Sequence, residues 1–166
     1  MRLGRREAAL ELLRFFLSDR RPPAWNQWPE IAWRDRRAPA HLGDLPHTWV
    51  GAEYVLALRS LFAYERLNDR TLVVAAGLAA EWTRGTGVDV QRMPTLYGAL
   101  TFSARAVDAH TLRCDVGPGV AAKIELRPPL SGRLLGVSVN GSDHRDFDAQ
   151  SVVIQTTPAQ IICHTA

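Results

Sequence analysis

The sequence predicts an α+β chain, a short N-terminal α-helical segment followed by an antiparallel β-sandwich. Three observations predict it. Apolar residues recur at helical spacing over residues 5–20 and 47–66. From Val88 onward the period drops to two. Gly, Pro and Asn-Gly signals punctuate that second half at short intervals. The expected domains are residues 1–68, helical with a Trp-rich loop, and residues 69–166, the sandwich.

In the first helix, Ala8, Ala9, Leu12, Leu13, Phe15 and Phe16 form the apolar side, and Glu7, Glu11 and Arg14 the other. Pro22 and Pro23 stop it. Residues 22–46 read as a long loop carrying Trp25, Trp28, Trp33, Pro29, Pro39, Gly43 and Pro46. Loops of this length are usually functional or disordered. The tryptophans argue against disorder.

The second helix, 47–66, is apolar nearly all round, with Trp49, Val50, Tyr54, Val55, Leu56, Leu58, Leu61 and Phe62. Such a helix is normally covered on several faces. One other helix and a sandwich can hardly cover it, which implies partner helices from outside this chain.

Residues 71–76 read as a short strand and 79–82 as one helical turn. The sandwich strands are expected at 87–92, 98–107, 110–116, 121–127, 133–139, 151–155 and 159–164. Val139-Asn140-Gly141 marks a strand entering a tight turn.

Bulk properties exclude several classes. The composition, 46% hydrophobic and 22% charged, is that of a globular protein. No apolar run reaches the roughly 18–20 residues of a membrane span. The basic N-terminus leads into an amphipathic helix and not an apolar signal core, so a cytoplasmic chain is expected. Residues 1–37 hold nine arginines against five acidic residues. They flank a helix and a loop, without helix-turn-helix or zinc spacing, so nucleic acid is not an expected partner. Cys114 and Cys163 belong to no CxxC pair and read as buried free thiols. No metal or cofactor is expected.

The chemistry concentrates in Trp25-Asn26-Gln27-Trp28-Pro29-Glu30 and in Gly43-Asp44-Leu45-Pro46-His47-Thr48-Trp49. Four of the five tryptophans lie between positions 25 and 49. Trp faces stack on sugar rings, while carboxylates and His bind the hydroxyl rim, a pairing of aromatic walls with few placed polar groups. The alternative is that these tryptophans cap helix ends and fill a core. The loop at Asp143-His144-Arg145-Asp146-Phe147-Asp148 reads as a solvated turn, and Gly117-Pro118-Gly119 with Lys123 lacks phosphate-loop spacing.

The order of these pieces resembles the end of six-hairpin (α/α)6 glycosidases, the α-L-rhamnosidases among them. There a helix leads into a Trp-Glu loop, a His-bearing segment opens the last barrel helix, and a β-sandwich follows. Here the matching pieces are Trp28-Pro29-Glu30, then Pro46-His47-Thr48-Trp49, then the helix through Arg66. Gly87-Val88-Asp89-Val90 and the run Met93 to Leu100 are similar to the opening of that family's sandwich.

The resemblance implies that Glu30 is the general base and His47 a substrate contact, with Trp28 facing the sugar. Trp25, Asp44 and Trp49 complete the expected substrate-binding set. Pro29 departs from the family pattern, in which Glu directly follows Trp. The family's general acid sits upstream, in hairpins this chain does not contain. Asp44 and Glu53 are the carboxylates nearest to hand, and Glu53 on an apolar helix reads as ion-paired or solvated.

The expected function is therefore a glycoside-hydrolase-related C-terminal region, not catalytic alone. The alternative is a non-catalytic carbohydrate-binding or protein-interaction module. The expected partners are a carbohydrate and a chain, or a second copy, that supplies the missing helices.

Overall fold

A computed structural model describes residues 2–31, 35, 43–130 and 132–166. Trp33 and Pro39 of the aromatic loop lie outside the described residues. The chain divides into two compact units, Met1–Ser60 and Leu61–Ala166.

In the first unit, α1 spans Arg6–Ser18 and buries Leu10. The prolines act as expected: Pro22 is extended, and Pro23–Trp25 form a single 3-10 turn closed by Asn26 in the left-handed region. Helix α2 spans Thr48–Phe62. Its Val55, Leu56 and Leu58 are exposed, as are Leu12 and Phe15 of α1. The helix expected to be covered on several faces thus has open apolar residues. No helix among the described residues is long and apolar enough to cross a membrane.

One helix boundary differs from expectation. The apolar pattern ran to residue 66, yet α2 ends at Phe62 and Ala63–Arg66 is a strand, β1. The reason is backbone pairing. The Phe62 carbonyl accepts from Ala75 N–H at 2.7 Å and the Leu61 carbonyl from Gly77 N–H at 3.0 Å. The last-turn carbonyls are satisfied without further helix. β1 then pairs antiparallel with β2, Thr71–Val74, from Ala63↔Val74 to Arg66↔Thr71. Periodicity alone cannot see partners that distant.

The remaining strands match the period-two reading. They are β3 Val88–Thr95, β4 Gly98–Ala106, β5 Thr111–Val116, β6 Lys123–Leu126 and β7 Leu134–Val139. The short β8 Ser142–Asp143, then β9 Val152–Ile154 and β10 Ala159–Thr165, complete the set. A 3-10 turn at Ala80–Thr83 stands where one helical turn was expected.

Two sheets form, in the orders β1-β2-β6-β9 and β3-β4-β5-β10-β7-β8. All pairs are antiparallel except β2–β6, which is parallel from Thr71↔Lys123 to Val74↔Leu126. The expected antiparallel sandwich thus carries one parallel pairing in its smaller sheet. Alternate residues enter one shared core: Leu72 and Val74, Leu100, Phe102 and Ala104, Leu112, Cys114 and Val116, Ile124 and Leu126, Ile161 and Cys163. Thr101, Ser103, Gln160 and His164 point away from it, which is the alternation that the sequence showed.

Two turns need glycine. Asn140 and Gly141, both at positive φ (51° and 80°), form the hairpin between β7 and β8. Gly98 has φ 116°, and a Cβ there would lie 1.9 Å from the Gly119 carbonyl oxygen. β4 begins where only hydrogen fits.

Candidate functional site

The site is assembled in the first unit from two short segments. Glu30 N–H donates to the Asp44 carbonyl at 3.0 Å, and His47 N–H to the Trp28 carbonyl at 3.0 Å. These two bonds hold 28–30 against 44–47. Gly51 N–H then donates to the His47 carbonyl at 3.3 Å, so α2 starts directly after His47. The side-chain ligand atoms of Glu30, Asp44 and His47 come within 4.8 Å of one another. Gly43 permits this arrangement: a Cβ there would lie 2.7 Å from Glu30 Cβ and 2.9 Å from its Oε2.

The tryptophans divide into two kinds. Trp28, expected to face a sugar, is 8% exposed. Its indole N–H donates to the Phe16 carbonyl at 2.7 Å. Its ring packs 4.6 Å from Tyr54 and 5.3 Å from Phe16, centroid to centroid. Trp28 is thus the centre of a small aromatic core that fastens the loop to α1, because both its N–H and its faces find partners inside the unit. Trp25 and Trp49 are 63% and 64% exposed. Trp49 stands edge-on to the His47 ring, centroids 5.5 Å apart at 65°. Trp25 is the last residue of the 3-10 turn, and Arg20 donates to Asn26 Oδ1 beside it.

The structure therefore brings together Glu30, Asp44 and His47, with Trp49 alongside. Glu53 is exposed on α2, the solvated alternative for that carboxylate. What sequence reasoning missed is the convergence itself. Asp44 and His47 were paired with Glu30 only by the order of motifs, and no spacing signal marks the two backbone bonds that align them.

In the second unit, Glu125 accepts from Arg66 at 2.7 Å and from Arg127 at 2.6 Å. Asp69 accepts both from Arg66, at 2.9 and 2.8 Å, and from Lys123 at 3.2 Å. The Arg66 hydrogen bond is the main cause holding the Asp69 carboxyl well below the usual carboxylate range. Burial alone would raise the Glu125 carboxyl, but the two arginines together lower it. Cys114 and Cys163 are buried and free, as the sequence implied. Burial pushes the Cys163 thiol up to about 12 and the Cys114 thiol well above its ordinary value. Burial of this kind keeps a thiol protonated, and the thiolate is the nucleophilic form. His144, in the loop expected to be a solvated turn, donates through Nε2 to the Val153 carbonyl at 2.8 Å, a structural role.

No protein-family model matches the chain, and no curated protein matches it. Among solved structures it is similar to a GH127 beta-L-arabinofuranosidase from Geobacillus stearothermophilus T6, at 12% identity and a TM-score of 0.42. That likeness covers 81% of this chain and 23% of that one.

Proposed function

We propose that this chain is a glycoside-hydrolase-related C-terminal region that binds carbohydrate and does not hydrolyse it alone. The single observation that carries the reading is the meeting of Glu30, Asp44 and His47 within 4.8 Å beside an exposed Trp49. An exposed indole next to convergent carboxylates and an imidazole suits a sugar: the ring face stacks, and the polar atoms take hydroxyls. Trp28 holds the loop through its packing on Phe16 and Tyr54.

Distance argues against catalysis by this pair. Inverting hydrolysis needs about 6.5–9.5 Å between acid and base, and retaining hydrolysis about 5–5.5 Å. The Glu30 and Asp44 oxygens are closer than either. If Glu30 acts as a general base, Asp44 is not its acid. The test is a glycan array with the purified chain, followed by calorimetry on the best ligand. Binding that Trp49→Ala or Glu30→Gln weakens at least tenfold is expected. An array without signal would remove the reading.

A second reading rests on the open apolar residues of α2, Val55, Leu56 and Leu58, and of α1, Leu12 and Phe15. Exposed apolar patches mark interaction surfaces. On this reading a partner chain or a second copy covers the helices. Light scattering after size exclusion tests self-association: a strict monomer across the micromolar range leaves only a different partner chain.

A further inference from the structure

We infer that Glu30, Asp44 and His47 form a binding site for a first-row divalent transition cation, with zinc or manganese as the fitting class. The inference uses the same three side chains as the carbohydrate reading but does not depend on it.

Three observations carry it. First, the donor set is mixed: two carboxylates and one imidazole, each offering one ligand atom, all within 4.8 Å of one another. In a tetrahedral site two donors sit about 3.4 Å apart, given metal–ligand bonds of about 2.0–2.2 Å. Closing from at most 4.8 Å to that spacing takes a shift of up to about one ångström per side chain. Second, among the described residues the two carboxylates have no Lys or Arg partner. Among the described residues, no group donates a hydrogen bond to the Glu30 or Asp44 side chain, and neither forms an ion pair. Elsewhere in this chain Asp69 and Glu125 each have cationic partners. Like charges this close disfavour one another unless a cation lies between them. Third, the backbone presets the cluster. The Glu30–Asp44 and His47–Trp28 bonds, with Gly43 leaving room for the Glu30 carboxylate, fix the three side chains relative to one another.

The imidazole decides the class of ion. Calcium and magnesium prefer all-oxygen ligands, while imidazole suits zinc and its first-row neighbours. Three protein ligands leave at least one coordination position for water or for a ligand's hydroxyl oxygen. The exposure of the two carboxylates makes that position accessible.

The experiment is calorimetric titration of the chelator-stripped full chain with zinc chloride, repeated with manganese and calcium chlorides. One zinc per chain is expected, with calcium binding much more weakly. Asp44→Asn and His47→Gln should each weaken zinc at least about tenfold, since even outer partners of a metal site cost that much. His144→Gln should leave it unchanged. No saturable zinc binding, calcium binding as tight as zinc, or zinc binding unaffected by both site variants would each overturn the inference. Should a site variant lose its folded circular dichroism spectrum, manganese quenching decides. A paramagnetic ion at His47 lies beside Trp49, so wild type should lose Trp49 emission, identified by difference from Trp49→Phe. Unquenched Trp49 would overturn the site. Because glycan affinity is read separately, loss of one reading leaves the other measurable.

Discussion

Arg66 reaches across an entire strand to Glu125. Arg66 lies on β1 and Glu125 on β6, with β2 between them, yet Nη1 and Oε2 are 2.7 Å apart. The face they share also carries Tyr64 and Val73, cross-strand neighbours in register with Glu125. Both Tyr64 and Val73 are buried, so the ion pair lies on an apolar floor with the Arg127 guanidinium as a second donor.

The first prediction follows from this pair. Glu125→Gln leaves two guanidiniums facing a neutral amide and should cost about 2 kcal/mol, the scale of hydrogen bonds to charged groups. Urea unfolding followed by fluorescence measures it. A variant as stable as wild type would mean that Arg66 and Arg127 are fully served by water.

The same pair sets a pH dependence. Folding lowers the carboxyls of Glu125 and Asp69 below their ordinary range. A group depressed in the folded state contributes its stability above the unfolded value and loses it as pH falls through the folded value. Stability should therefore drop as pH falls below about 4, the ordinary carboxylate range. Thermal midpoints recorded from pH 6 down to pH 2 should fall more steeply for wild type than for the double variant Asp69→Asn, Glu125→Gln. Parallel curves would contradict this.

Gly98→Ala should destabilise the second unit by at least about 2 kcal/mol, because the new methyl meets a carbonyl oxygen in a backbone conformation that side chains avoid. Gly136→Ala is the control, since nothing lies within 4 Å of its Cβ position. Equal melting temperatures for the two variants would count against the close approach at Gly119.

The aromatic residues should separate by role. Trp28→Ala removes the centre of the Phe16–Trp28–Tyr54 cluster and should cost about 3–5 kcal/mol, the range for buried aromatic truncation. Trp25→Ala and Trp49→Ala remove exposed rings and should leave the melting curve within about 0.5 kcal/mol of wild type. A Trp49→Ala variant that melts early would assign that ring to packing.

The thiols give a test of the sandwich core. Cys114 and Cys163 should not react with a thiol reagent such as DTNB in the folded chain, and both should react in denaturant. Rapid native labelling would show that the strands β5 and β10 open readily.

Much of the fold was legible because sandwich strands advertise themselves locally. Leu100, Phe102 and Ala104, or Ala159, Ile161 and Cys163, alternate with outward residues, and Asn140-Gly141 names its own turn. What escaped was set by partners far along the chain. Ala63–Arg66 continue an apolar helical run, and only pairing with residues 71–74, with carbonyls capped from 75 and 77, makes them a strand. The candidate site divides the same way. Its residue types were visible as a Trp, carboxylate and His grouping. The burial of Trp28 and the convergence of Glu30 on Asp44 depend on two backbone bonds across a loop that has no periodicity to read.

The one parallel pairing governs how this chain can be made. β2 is an inner strand that needs β6 beside it, and Leu72 meets Ile124 about fifty residues later, a non-local closure of the kind that slows folding. A nascent chain emerging from its start presents Leu72, Val73 and Val74 with only β1 to cover one edge. Until the β6 segment is synthesised, that apolar edge stands open to any other strand in reach. The vulnerable interval is therefore written into the strand order, and truncation between Val74 and Lys123 would make it permanent.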